Sequence, residues 1–419
     1  MKDFEDHKKN KLGWSSKRFK YLADVRKGRL PSKPDSISEE NKVAPYLSMD
    51  YLRNEDCTPD FVPVDKSSLE AKEGDILILW DGSNAGEFIR AKAGVVSSTA
   101  ALVVPKKVQP SFLYWVCKAY EKNIQSETIG MGIPHVDGDF LSDLKIFVPE
   151  NNEQIRIANY LDQEISRIDK LILAKERLLK LLAEKLRTLI VRIITNGLDS
   201  SVSFLDSQIP WLGKIPQHWK IWKLGHFASI GNGSTPDRDN LEYWVEGKIP
   251  WLNSSVVNQD EVKEADQFIT EAAFRECHLP LVKSGSVLIA ITGQGKTRGQ
   301  AVVLSLNATI NQHLVFITPN ENMANSWFIR WILFAAHDFL RNISDDAGGT
   351  KGALTCEEIS SLKIPLPPIN EQRLIIDHIS KEKTKLNVMH AVTERTINLL
   401  KERRAVLIDS VVTGQLKVI

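Results

Sequence analysis

The stretch Ala290-Ile291-Thr292-Gly293-Gln294-Gly295-Lys296-Thr297 comes nearest to a chemical site, matching the loose pattern of a phosphate-binding loop with Ala in place of the first Gly. That chemistry needs a helix opening at the lysine, because the backbone N–H groups of a helix start are what face the phosphates. The next residues, Arg298-Gly299-Gln300-Ala301-Val302-Val303-Leu304, form a Gly-broken, β-branched stretch that reads as a strand. The segment is therefore expected to be a hairpin or loop presenting polar and basic side chains, with a nucleotidase the least favoured reading.

Other catalytic arrangements are missing from the sequence. It has no Asn-Pro-Pro-aromatic motif for amino-methyl transfer, no His-Glu-x-x-His and no Gly-x-Ser-x-Gly, and its 9 histidines are scattered. Cys57, Cys117, Cys277 and Cys356 stand far apart with no Cys-x-x-Cys, so no metal site and a reduced intracellular chain are expected. The chain is expected to catalyse nothing by itself. With 54 Lys and Arg against 53 Asp and Glu, the formal charge of +1 argues against a generally sticky nucleic-acid binder. The charge is unevenly placed, since residues 1–35 hold 11 basic and 5 acidic side chains. No apolar run is long enough to span a bilayer, and the charged start Met-Lys-Asp-Phe-Glu-Asp-His-Lys-Lys is no signal peptide. A soluble, cytoplasmic protein is the expectation.

The elements that must position any site are written twice. Lys-Ile-x-x-Pro-x-x-Asn-Glu-Gln at 145–154 returns at 363–372, an offset of 218 that still holds where Thr195 meets Thr413 and Leu198 meets Leu416. Upstream, Trp14 aligns with Trp219, and Leu22-Ala23-x-Val25-x-x-Gly28 with Phe227-Ala228-x-Ile230-x-x-Gly233. Pro45-Tyr46-Leu47 matches Pro250-Trp251-Leu252, and Gly74-Asp75-Ile76-Leu77-Ile78 matches Gly285-Ser286-Val287-Leu288-Ile289. Phe112-x-x-Trp115 then matches Phe328-x-x-Trp331. So many matches in order imply duplication and a pseudo-two-fold molecule.

Each copy ends in a long helical pattern. Leu161, Ile165, Ile168, Ile172, Leu179, Leu182, Leu186, Leu189 and Ile193 alternate four and three apart, with Lys175 in the one polar slot. That is a coiled-coil seam. A capping start at Asn151 and a stop at Asn196-Gly197 frame it, and about 44 residues give a rod of roughly 65 Å. In the second copy Ile379, Leu386, Ile397, Leu400, Leu407 and Val411 hold equivalent slots, interrupted by Lys383, His390, Thr393 and Arg404. Those interruptions are expected to fix register or to face another protein. The segments at 1–144 and 201–362 read as α/β or mostly β globules, with helices at 112–120 and 327–340, and with Pro210-Trp211-Leu212-Gly213-Lys214-Ile215-Pro216 as the linker into the second.

A globule followed by a long helix, repeated in tandem, resembles the specificity subunit of a Type I restriction–modification system. The resemblance spans essentially the whole chain. It is carried by Leu366-Pro367-Pro368-Ile369-Asn370-Glu371-Gln372, Gly348-Gly349-Thr350-Lys351-Gly352-Ala353-Leu354, Trp80-Asp81-Gly82-Ser83, Ile215-Pro216-Gln217-His218-Trp219 and Val412-Thr413-Gly414-Gln415-Leu416. The first helix departs from the pattern in lacking the double Pro, and His135 lies near where the second copy has Lys351.

The resemblance implies an α+β fold: a first target-recognition domain (1–144), a first spacer helix (145–200), a second target-recognition domain (201–362) and a second spacer helix (363–419). The two helices would pair antiparallel and set the spacer of a split double-stranded DNA site. It further implies two modification subunits that use S-adenosylmethionine, and restriction subunits that use ATP and Mg2+, with no cofactor on this chain and no membrane. Polar side chains on the loops after the repeated strands are the candidates for DNA contact: Ser83, Asn84, Arg90, Lys92 and His135 in the first half, and Gln294, Lys296, Arg298, Gln300 and Lys351 in the second. Arg and Lys suit guanine edges or phosphates, and Asn and Gln suit adenine. Asp81 is expected to form a turn. A stand-alone sequence-specific DNA-binding protein is the alternative.

Overall fold

The structure is a computed structural model that describes residues 13–29, 43–54, 56–130, 132–293, 297–346 and 352–418. The chain divides into two compact units, one of Met1–Arg177 with Thr393–Ile419 and one of Leu178–Val392. Each long helix therefore gives one part of its length to each unit.

In the first unit β1 (Ser15–Arg18), β2 (Ala23–Lys27), β3 (Val43–Leu47), α1 (Met49–Arg53), β4 (Phe61–Pro63), β5 (Glu70–Ala71), β6 (Ile76–Leu79), β7 (Phe88–Arg90), β8 (Gly94–Val96) and β9 (Ala100–Pro105) precede α2 (Pro110–Ser126), α3 (Gly138–Asp143) and β10 (Lys145–Val148). Strands β2-β9-β6-β7 form one sheet and β4-β3-β8-β5 another. All four residues of β6 are buried, as a strand covered on both faces requires. Leu77, Leu79, Leu102, Leu47 and Val96 join the two sheets in one core, and Phe112, Leu113 and Val116 of α2 are buried. Antiparallel pairing of β1 with β10, Ser15 opposite Val148, closes the globule just before the first long helix, α4 (Asn151–Asn196).

The second unit repeats this plan. Its strands are β11 (Phe204–Asp206), β12 (Lys214–Pro216), β13 (Lys220–Lys223), β14 (Ala228–Asn232), β15 (Ile249–Leu252), β16 (Glu261–Val262), β17 (Gln267–Ile269), β18 (Val287–Ala290), β19 (Ala301–Leu304), β20 (Thr309–Ile310), β21 (Leu314–Pro319) and β22 (Lys363–Leu366). Its helices are α5 (Glu271–Glu276), α6 (Ser326–Ala335), α7 (His337–Asp346), α8 (Cys356–Ser361) and the start of α9 (Ile369–Val412). Registers recur: Ala23 opposite Pro105 becomes Ala228 opposite Pro319, and the parallel pair Tyr46–Val95 becomes Trp251–Thr309. The repeated Gly28 and Gly233 share one cause. A Cβ there would lie 2.2 Å from the Ser97 carbonyl oxygen and 1.7 Å from that of Ile310. Two details differ from the sequence reading. The helix expected over 327–340 breaks at Ala336 into α6 and α7. The expected linker at 210–216 is part of the globule, because β12 pairs with β11 and Leu212 and Ile215 enter the core.

Within α4 every expected seam residue is buried or half-buried, from Leu161 to Ile193. Asn196 ends the helix and Gly197, at φ 75°, turns the chain beneath the Trp219 ring. In the first unit Arg404 pairs with Asp169 at 2.9 Å and Lys401 with Glu176 at 3.6 Å, so α9 runs antiparallel to α4 there. The ion pair with Asp169 answers the charge of Arg404 in the seam. Thr393 is buried, and Lys383 is ion-paired with Asp260 inside the second unit. The polar seam residues Lys383 and Arg404 are thus answered within the chain.

Candidate nucleic-acid interface

The repeated Asn-Glu-Gln motif fixes each globule to its helix through the same contacts. Glu153 accepts a hydrogen bond from Trp14 Nε1 at 3.1 Å, and Glu371 accepts one from Trp219 Nε1 at 3.0 Å. Both carboxylates lie in the first helical turn, where the helix dipole favours them. The next residue is buried in each case. Gln154 Oε1 accepts the backbone N–H of Gln109, which caps α2, and Gln372 Oε1 accepts that of Asn325, which caps α6. Their amide groups donate to Pro149 and to Pro367 and Met323. A buried amide is stable only with such partners.

At one end of the first unit's sheet, the loop after β6 meets the segment before α3. Val136 N–H donates to Trp80 O at 2.9 Å and Gly82 N–H to Pro134 O at 2.9 Å. Asp81 does more than form a turn. Its carboxylate holds Lys27 Nζ at 2.7 Å and His135 Nδ1 at 2.6 Å, joining three segments of chain. Burial works to raise the Asp81 pKa, but the hydrogen bonds and charges of Lys27 and His135 outweigh it and hold the carboxyl below its ordinary value. Ser83 and Asn84 are exposed at the tip of this loop, beside exposed His135. Arg90 and Lys92 have partners within the first unit. Arg90 bonds Asp162 of α4 at 3.1 Å with its guanidinium 4.3 Å from the Tyr114 ring, and Lys92 donates to Tyr51 O at 2.6 Å.

The second unit has the same loop junction with other side chains. Leu354 N–H donates to Ile291 O at 2.9 Å, the equivalent of the Val136–Trp80 bond. Gly82 and Gly293, with φ of 104° and 126°, hold equivalent positions, where a backbone in the left-handed region favours glycine. In place of Asp81 stands Thr292, whose hydroxyl lies 2.9 Å from His313 Nδ1. Arg298 is only 4% exposed and donates to Gly352 O at 2.6 Å, so it braces the loop from inside. Gln300 is half-buried at the edge of β19, and its carbonyl accepts from Ala290 N–H. Gln294, Lys296 and Lys351 lie outside the described residues. Residues 297–300 lead directly into β19, so the described residues next after Lys296 do not form the helix that a phosphate-binding loop needs.

Lys27 and His313 were not among the sequence candidates. Each stands one residue before a feature of the fold, Gly28 and β21, and a search of the repeat for polar residues beside its glycines and strand starts would have found both. Among the described residues no group of three or more His, Cys, Asp or Glu could hold a metal ion. No helix of the described residues is long and apolar enough to cross a membrane.

Two loop-bearing globules of one design, each clamped to a long helix by a Trp–Glu pair, define a duplicated recognition scaffold. The chain belongs to the family described as the Type I restriction modification DNA specificity domain, whose model matches it twice, over residues 11–179 and 216–395. The specificity subunit of the Type I restriction enzyme MjaVIII from Methanocaldococcus jannaschii is 26% identical over 397 residues, covering 89% of this chain and 86% of that protein. The specificity subunit of EcoR124I/EcoR124II from Escherichia coli is 26% identical over 207 residues, 49% of this chain and 48% of that one. A chain from a solved type I restriction–modification assembly shares the fold, with a TM-score of 0.75 at 16% identity over 97% of this chain and 100% of that chain. The HsdS subunit from Thermoanaerobacter tengcongensis superposes with a TM-score of 0.58 at 17% identity over 97% of this chain and 98% of that one. This chain is accordingly a specificity subunit with two DNA-recognition domains, a non-catalytic part of such a system.

Proposed function

We propose that each globule reads one half of a split double-stranded DNA site through its loop junction, and that the chain recruits two methyltransferase subunits and the restriction subunits that act on that site. The observation that carries this reading is the pair of junctions, alike in backbone bonding and unlike in side chains: Asp81 with Lys27 and His135 in one, Thr292 with His313 in the other. One scaffold with two sets of side chains is what an asymmetric bipartite target requires, since phosphate contacts position a protein while base contacts specify sequence.

Partner binding is supported by apolar side chains left exposed at equivalent repeat positions of the long helices. Leu171 and Met389 are 51% and 44% exposed, and Leu181 and Leu399 are 59% and 55% exposed. Repeated exposed apolar positions suit two copies of one partner. S-adenosylmethionine belongs on the methyltransferase subunits in this reading, ATP and Mg2+ on the restriction subunits, and the assembly acts in the cytoplasm. Mapping methylated adenines in DNA from cells expressing this chain with its methyltransferase subunit tests the proposal. A split motif with a constant gap is expected, and a contiguous motif or no motif would overturn it.

A further inference from the structure

We propose that Arg238 is a specificity-determining residue of the second recognition globule, reading a guanine in that globule's half-site. The proposal rests on the DNA-reading assignment above. Arg238 lies after β14, on the segment that leads into the small sheet, and its side chain is exposed. Its guanidinium carbon lies 3.9 Å from the Trp244 ring centroid and 4.6 Å from that of Trp251. The two indoles meet edge to face at 5.2 Å and 89°, which makes a rigid corner beneath the cation. Trp244 Nε1 donates to Asp237 O and Trp251 Nε1 to Ser234 O, so both rings are tied to the segment that carries Arg238. Gln267 Oε1 accepts from Arg238 Nη2 at 2.9 Å and sets the rotation of the guanidinium plane. Among the described residues Nε and Nη1 have no protein acceptor.

This shelf is continuous with the loop junction. Ser234 N–H donates to Ile310 O, the Thr235 hydroxyl donates to Gln312, and the neighbouring His313 bonds Thr292. Arg238 therefore flanks the same cluster of loops. A stacked, plane-fixed guanidinium is the geometry that guanine selects, because its O6 and N7 acceptors lie side by side on the major-groove edge. A phosphate would accept any cation. Asp237 and Asp239 flank Arg238 in sequence, and carboxylates beside a phosphate are repelled, whereas base edges also offer amino donors. The sequence adds a second observation. Ser234-Thr235-Pro236-Asp237 echoes Ser32-Lys33-Pro34-Asp35 of the first copy, and the next residue is Arg238 in one and Ser36 in the other. A shared sequence pattern followed by a diverged residue is what two different half-sites call for.

The test uses the full chain in complex with its methyltransferase subunits, comparing wild type with Arg238→Lys and Arg238→Ala by methylation mapping and by DNA affinity across a salt series. Both variants are expected to lose discrimination at one guanine of one half-site by on the order of ten- to a hundredfold, with the other half-site and the salt slope unchanged. Full activity in Arg238→Lys, or a uniform loss across all sequences with a shallower salt slope, would overturn the proposal in favour of a phosphate contact. An unchanged motif and affinity in Arg238→Ala would leave the residue as packing only and also overturn it. Arg238→Lys keeps the cation on its shelf, so it decides the matter even if the alanine variant folds poorly. Loss of a split motif in the wild-type complex would instead refute the underlying assignment of the chain.

Discussion

Replacing Gln372 by alanine removes a side chain with 0% exposure and strands three backbone groups: the Asn325 N–H and the carbonyls of Met323 and Pro367, each now 2.8–2.9 Å from the amide. An unpaired buried polar group costs about 1–3 kcal/mol. Water entering the vacated space would satisfy some of this demand, so the low end for each group applies and the total is about 3 kcal/mol. For a cooperative unit of this size each kcal/mol lowers the melting temperature by about 2–4 °C, giving a drop of about 6–12 °C in the transition of the second unit. The effect reaches function because Asn325 caps α6, which buries Phe328, Ile329 and Trp331, while Gln372 itself opens α9. Scanning calorimetry of the full chain measures it, with Glu371→Gln as the control. That variant keeps an acceptor for Trp219 and loses the charge toward half-exposed His218 and toward the helix N-terminus, each worth about 1 kcal/mol or less. A drop of under about 2 °C for Gln372→Ala would refute the claim that the buried amide ties helix to globule.

Asp81→Asn should weaken methylation of sites that depend on the first half by roughly 5- to 30-fold, because its two partly exposed ion pairs contribute about 0.5–1 kcal/mol each. Since the Asp81 pKa is depressed, its contribution is present above the unfolded value of about 3.9 and is lost only as pH falls through the lower folded value. Methylation between about pH 6 and 8 should therefore show no Asp81 titration, and equal methylation by wild type and Asp81→Asn would refute the anchor. Leu181→Glu with Leu399→Glu should abolish co-purification with the methyltransferase subunit while changing stability by less than about 0.5 kcal/mol; undiminished co-purification would exclude these two positions. Inserting one heptad within 161–193 lengthens the helix by about 10 Å, or roughly 3 base pairs, and should alter the gap of the methylated motif while leaving both half-sites intact. A changed half-site would contradict that division of labour.

The duplication and the boundaries of both long helices were legible because they depend on repetition, local periodicity and capping, which sequence records directly. The strands Val287–Ala290 and Ala301–Leu304 were readable for the same reason. Readers of DNA were harder to name. Arg90 and Lys92 look like free loop cations in the sequence, yet Asp162 and the Tyr51 carbonyl lie 72 and 41 residues away in the chain and occupy them. Arg298 was expected at a surface and lies inside, bonded to Gly352. The polar residues of α9 show the same limit, since Lys383 and Arg404 look like flaws in a seam until Asp260 and Asp169 are placed beside them.

Repetition and helical periodicity need no knowledge of distant contacts, so the residues alone record two copies of one globule-and-helix unit. What the repeated residues are for emerges on folding: Trp14 with Glu153, Trp219 with Glu371, and the buried Gln154 and Gln372 become clamps once chain segments far apart in sequence meet. Folding likewise separated cations that face solvent from cations already paired, and brought Arg238 onto two tryptophans beside the loops. A side chain's role comes from the charges and acceptors within a few ångströms, and most of those neighbours are set by folding.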